Sequence, residues 1–120
     1  MFRILVVDDN QDAAESLAMA LELEGYQTEV AHDGADALRK SSRFHPQVVI
    51  LDISMPIMDG FEAAQALRRH VPHVRLVVLS GTNLADMREQ VDKVHFDAMF
   101  VKPADPAELL ATVGYLVRER

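Results

Sequence analysis

Apolar residues in this chain come as short unbroken runs, separated by longer stretches in which they recur at helical spacing. Arg3–Val7 (RILVV), Val48–Leu51 (VVIL) and Leu76–Leu79 (LVVL) are continuous β-branched and leucine segments. That is the pattern of strands buried on both faces, not of strands alternating between core and solvent. Gln27–Ala31 is more polar and alternates, which predicts a strand nearer a sheet edge, and Met99-Phe100-Val101 predicts a fifth strand. Between these lie helical patterns. Ala14, Leu17, Ala18 and Leu21 precede Gly25, a left-handed stop, and Asp33-Gly34 turns into a short helix carrying Ala37 and Leu38 that breaks before Pro46. Phe61, Ala64 and Leu67 mark a third helix, and Leu84, Met87, Val91 and Val94 a fourth. The C-terminal helix has Asp105 as N-cap, Pro106 at its first position and Glu108 where a capping box places it. Five βα pairs predict an α/β protein: a doubly wound parallel five-stranded sheet with helices on both sides and right-handed crossovers. The pattern leaves the strand order open.

The ends of the strands carry the chemistry. ILVV stops on Asp8-Asp9, VVIL on Asp52, LVVL on Ser80 and Met99-Phe100-Val101 on Lys102. In an open parallel sheet, ligands bind beyond the carboxyl ends of the strands, so these side chains can converge on one crevice. If the first and third strands are neighbours, three carboxylates share a small volume, each pair repelling by ~4 kcal/mol at ~4 Å and an effective dielectric near ~20. Such a cluster persists only if a carboxylate takes up a proton or a cation joins it. An oxygen-only donor set without Cys or a nearby His suits Mg²⁺. A carboxylate can also be a covalent nucleophile toward phosphorus, with a hydroxyl and an ammonium left to hold the phosphoryl oxygens; Ser80 and Lys102 fit those two roles.

Composition narrows the function. With 120 residues, 49% of them hydrophobic, residues 1–120 read as a single domain with one closed core. A formal charge of −7, with no basic cluster in the sequence, argues against direct nucleic-acid binding. There is no cysteine, so disulfides, thiolate metal sites and cysteine nucleophiles are excluded. No apolar run approaches the ~20 residues of a membrane-spanning helix, and the N-terminus lacks a signal-peptide pattern. The expectation is a soluble, cytoplasmic protein that does not insert into membranes. The five histidines are scattered, with His70 and His73 flanking Pro72, and read as surface or loop residues. Met55 and Met58 read as packing residues, since thioethers are poor partners for a hard cation.

The ordered set of Asp8-Asp9, Asp52 within LDISMPIMDG (Leu51 to Gly60), Ser80-Gly81 and Lys102-Pro103 resembles the receiver domain of bacterial two-component response regulators, across essentially the whole chain. The resemblance implies a flavodoxin-like fold with strand order 2-1-3-4-5. It implies that a histidine kinase or histidine phosphotransfer protein passes a phosphoryl group to Asp52. It further implies that Asp9, Asp52 and the main-chain carbonyl of Ser54 coordinate Mg²⁺, that Asp8 acts mainly through metal-bound water, and that Ser80 and Lys102 bind the phosphoryl oxygens. The first helix would then receive the phosphodonor, and the surface of the fourth helix, fifth strand and fifth helix would serve an output partner or a homodimer. Such a module catalyses its own phosphorylation and dephosphorylation but turns over no separate substrate. The alternatives are an Mg²⁺-dependent aspartate-nucleophile phosphatase or phosphotransferase, whose D-x-D motif Asp8-Asp9-Asn10 does not match, and a docking module that is never phosphorylated.

Three positions depart from the common receiver pattern. Met99 stands three residues before the lysine, where many receivers place an aromatic, and a one-residue shift along a strand should turn the adjacent Phe100 to the opposite face. Ala104 follows Pro103 where an aromatic is common, and Gly81 follows Ser80 where alanine is common. Because glycine has no Cβ, it leaves more room beside the phosphoryl position. Gly81→Ala is expected to change the rates of phosphorylation and dephosphorylation without moving the modified residue, as followed by phosphoprotein decay and peptide mapping.

Overall fold

The structure, a computed structural model, describes residues 1–53, 60–81 and 94–118. The strands are β1 (Arg3–Val7), β2 (Gln27–Ala31), β3 (Val48–Asp52), β4 (Arg75–Ser80) and β5 (Ala98–Val101). The helices are α1 (Gln11–Leu23), α2 (Gly34–Phe44), α3 (Gly60–His70) and the C-terminal α4 (Pro106–Arg118). The helix expected over Leu84–Val94 and the Met55–Met58 stretch lie outside the described residues, apart from Val94, which is buried. All pairings are parallel and the order is β2-β1-β3-β4-β5, as the resemblance implies. β3 includes Asp52 and β4 includes Ser80, so two of the polar strand ends are paired residues of the sheet and not loop residues. Among the described residues no helix is long and apolar enough to cross a membrane.

Unbroken apolar runs follow from burial on both faces. Leu5, Val7, Val49, Leu51, Leu76 and Val78 pack on one side with Ala37, Phe61, Ala64 and Leu67 of α2 and α3. Ile4, Val6, Val48, Ile50 and Val77 pack on the other with Ala14, Leu21, Leu109 and Val113 of α1 and α4. Burying one such side chain stabilises the fold by about 1.5–3 kcal/mol, and the two layers together hold β1 and β3 rigidly side by side.

Helix ends are set by local chemistry. The Asn10 side chain accepts from the Ala13 amide at 3.0 Å and starts α1. That helix stops in a Schellman arrangement: the Tyr26 amide donates to the Leu21 carbonyl at 3.2 Å and the Gly25 amide to the Glu22 carbonyl at 2.9 Å, with Gly25 at φ +95°. Asp33 caps α2 through the Asp36 amide at 2.7 Å, and Asp105 accepts from the Ala107 amide at 2.9 Å at the start of α4. Asp36 is partly buried, which pushes its carboxyl up, but the hydrogen bond and charge of Lys40, with the His32 amide and Arg39, hold it below its ordinary value.

Gly60 opens α3 for a reason of volume. A Cβ placed there would lie 2.7 Å from the Ile53 Cβ and 2.9 Å from the Ile53 carbonyl carbon, and would collide with the Ile53 Cα. The first turn of α3 therefore rests on the main chain immediately after Asp52. Gly60→Ala is expected to destabilise the protein by about 2–4 kcal/mol, read from denaturant unfolding, because the main chain it meets cannot rotate away.

Candidate functional site

Parallel pairing explains how the polar strand ends meet. Val7 lies opposite Leu51, so Asp8 and Asp52 are the next residues outward on adjacent strands. Asp52 in turn lies opposite Leu79, and Ser80 opposite Val101, one residue before Lys102. The ladder continues by one bond past several strand ends: the Asp8 amide donates to Ala31 at 3.0 Å, Ile53 to Leu79 at 3.1 Å and Lys102 to Ser80 at 2.7 Å. These bonds fix the main chain from which each functional side chain projects.

The side chains form one site. Carboxylate oxygens of Asp8, Asp9 and Asp52 lie within 4.8 Å of one another. Asp52 and Ser80 are buried, at 3% and 1% exposure, whereas Asp9 is open to solvent. The Lys102 ammonium donates to Asp52 Oδ2 at 2.5 Å, across 50 residues of sequence. The structure thus brings Asp8, Asp9, Asp52 and Lys102 together and sets Ser80 at the end of β4, opposite Val101, while Ser54 lies outside the described residues.

Among the described residues, the Lys102 ammonium faces three carboxylates. Burial raises the Asp8 carboxyl above its ordinary value of 3.8, and the charges of Asp52 and Asp9 add to that; the Asn10 amide, donating to Asp8 Oδ1 at 3.0 Å, and Lys102 work against it. Asn10 therefore serves both the start of α1, through its side chain, and the carboxylate two residues before it, through its amide. The donor set is all oxygen, clustered and partly open, and so fits a hard divalent cation.

The chain matches the family model described as the response regulator receiver domain over residues 4–114. It belongs to the response regulator receiver domain family. The receiver domain is 41% identical over 118 residues to the transcriptional regulatory protein PrrA of Mycobacterium leprae, covering 98% of this chain and 51% of that protein. It is 36% identical over 116 residues to the response regulator MprA of Mycobacterium avium, covering 97% of this chain and 51% of that protein. The chain thus spans about half the length of these relatives. Its fold matches a CheY-like receiver domain protein from Methanospirillum hungatei with a TM-score of 0.90 at 27% identity, over 98% of this chain and 95% of that one. It also matches the response regulator TrrA of Thermotoga maritima, solved in complex with Mg²⁺–BeF, with a TM-score of 0.85 at 33% identity, over 97% of this chain and 99% of that one. The receiver domain is therefore a signalling module of the two-component class with the flavodoxin-like fold.

Removing one charge from the cluster should relieve its repulsion. Because Asp8 binds its proton more tightly in the folded state than at its ordinary 3.8, the folded state loses stability relative to the unfolded chain as pH rises from 3.8 through the raised folded value. Asp8→Asn is accordingly expected to raise stability at neutral pH without divalent cation, on the order of 1 kcal/mol. The gain should shrink as pH falls toward the Asp8 titration, and stabilisation by added Mg²⁺ should weaken. Thermal unfolding with and without Mg²⁺ across this pH range checks all three.

Proposed function

We propose that this receiver domain takes up a phosphoryl group on Asp52 from a histidine of a partner kinase or phosphotransfer protein, with Mg²⁺ held at Asp8, Asp9, Asp52 and the Ser54 carbonyl. The observation that carries this reading is the convergence of three carboxylates with Lys102 on Asp52 at the carboxyl ends of adjacent strands. An Asp52 carboxylate oxygen attacks phosphorus, the phosphorus–nitrogen bond to the donor imidazole breaks, and the imidazole leaves with the bonding electron pair. Bound Mg²⁺ would supply positive charge to the phosphoryl oxygens. Lys102 shifts from the Asp52 carboxylate to a phosphoryl oxygen of the same residue, and the Ser80 hydroxyl donates to another. The buried position of Asp52 limits access to a donor that enters in line from the open end of the sheet.

The same exchange of partners provides the signal. Lys102 directly follows β5, and Ser80 ends β4, so new bonds to the phosphoryl group pull on two strand ends together. Met99 is 49% exposed, while Phe100 packs with the opposite layer beside α1 and α4. That placement supports a switch in which the loop after β4 moves without a rotation of Phe100. The output surface then includes β5, α4 and the segment before β5, for a partner domain or a second copy. A cytoplasmic location accords with the proposed phosphodonor.

Incubation with acetyl phosphate and Mg²⁺ should add one phosphoryl group, seen as the intact mass increase and mapped to Asp52. Asp52→Asn should abolish it, and chelation of Mg²⁺ should slow it by at least about 100-fold. Steady release of phosphate from small phosphoesters, without a stable phosphoprotein, would instead favour the phosphatase reading.

A further inference from the structure

The strand that delivers Lys102 carries almost no register information of its own. Ala98, Met99, Phe100 and Val101 are all apolar, and among the described residues β5 is an edge strand paired only on β4. On one of its faces Met99 and Val101 remain 49% and 52% exposed. An all-apolar segment with half its side chains in solvent does not by itself penalise a slip along its neighbour, yet a one-residue slip would turn every side chain to the other face and move Lys102 by ~3.3 Å.

The missing constraint lies at the opposite end of the strand. The Asp97 amide donates to the Leu76 carbonyl at 2.8 Å, and Asp97 Oδ2 accepts from the Leu76 amide at 2.8 Å, so the carboxylate stands where a strand carbonyl would pair. Its Oδ1 accepts from Arg75 Nη1 at 3.3 Å and its Oδ2 from Arg68 Nη2 at 3.4 Å. Arg68, from α3, also donates to the Val74 and His95 carbonyls, each at 2.6 Å. The Asp97 side chain is only 8% exposed. Breaking a buried, charge-assisted arrangement of this kind takes the Asp97 carboxylate away from the Leu76 amide and from both guanidinium groups, so it penalises the slips that the apolar pattern permits.

We propose that Asp97 is a positioning residue for phosphoryl transfer, which locks β5 in register on β4 and thereby sets the Lys102 ammonium on Asp52. This rests on the reading of Lys102 as a ligand of the phosphoryl group. Asp97 touches no reacting atom; it acts through the length of β5. Asp8 and Asp9 follow β1 and Asp52 ends β3, so the main chain that carries the three carboxylates is held by the β1–β3 pairing and not by this lock. Mg²⁺ binding and Lys102-dependent chemistry should therefore separate.

The test compares wild type, Lys102→Ala, Asp97→Asn, the milder Arg75→Gln, and Ala18→Gly as a destabilised control in α1, all below their unfolding midpoints. Mg²⁺ affinity, the rate of phosphorylation by acetyl phosphate, and amide exchange at Lys102 are measured for each. Asp97→Asn should keep Mg²⁺ affinity within about twofold, slow phosphorylation roughly five- to tenfold, and speed exchange of the Lys102 amide by a similar factor. Arg75→Gln, which leaves the Leu76 bond in place, should fall between Asp97→Asn and wild type, and carries the test if Asp97→Asn does not fold. Ala18→Gly should leave phosphorylation and Lys102 exchange unchanged. Wild-type phosphorylation and exchange in Asp97→Asn or, if it does not fold, in Arg75→Gln would overturn the inference, as would equal slowing in Ala18→Gly. A wild type that accepts no phosphoryl group, or a Lys102→Ala variant at wild-type rate, would overturn the reading of the site itself.

Discussion

The pairing of β1 with β3 forces Asp8 and Asp52 side by side, and apolar layers on both faces prevent the two strands from moving apart to relieve the repulsion. The repulsion must be answered by chemistry, because the backbone cannot answer it. Three answers are available: a proton on Asp8, the Lys102 ammonium already on Asp52, and an oxygen-loving cation among all three carboxylates. In the proposed phosphoryl transfer the ammonium changes partner and the cation is recruited, so the same charge imbalance that costs stability would also ready the site.

The two ends of β5 divide its work. At one end an ion pair is exposed to exchange of partners; at the other, a carboxylate is tied to a main-chain amide and two guanidinium groups. The first can change without unfolding the edge of the sheet because the second does not. A strand held only by apolar burial would not keep those two functions apart.

Much of the fold was legible because strands covered on both faces leave unbroken apolar runs, and because Gly25, Asp33 and Asp105 mark helix ends by chemistry that needs no partner far away in sequence. Strand order was not legible from pattern, since β1, β3 and β4 present the same kind of run; it came from the resemblance and is seen in the pairing. Asp8, Asp9, Asp52, Ser80 and Lys102 were legible as strand endings, but the contact between Lys102 and Asp52 was not, because it spans 50 residues. Asp97 was missed altogether. An aspartate before an apolar run resembles any loop residue until Arg75 and Arg68, 22 and 29 residues away, are brought onto it.

Gly60 opens α3 without needing the backbone freedom that glycine provides. Its main-chain conformation is ordinary; what is lacking is space, since Ile53 occupies the place of a side chain. Asp52, Ile53 and the first turn of α3 consequently behave as one solid piece. Divergence at this point of the chain is limited by excluded volume, independently of the neighbouring carboxylate, so a copy of this fold that had lost Asp52 would still be held to glycine here.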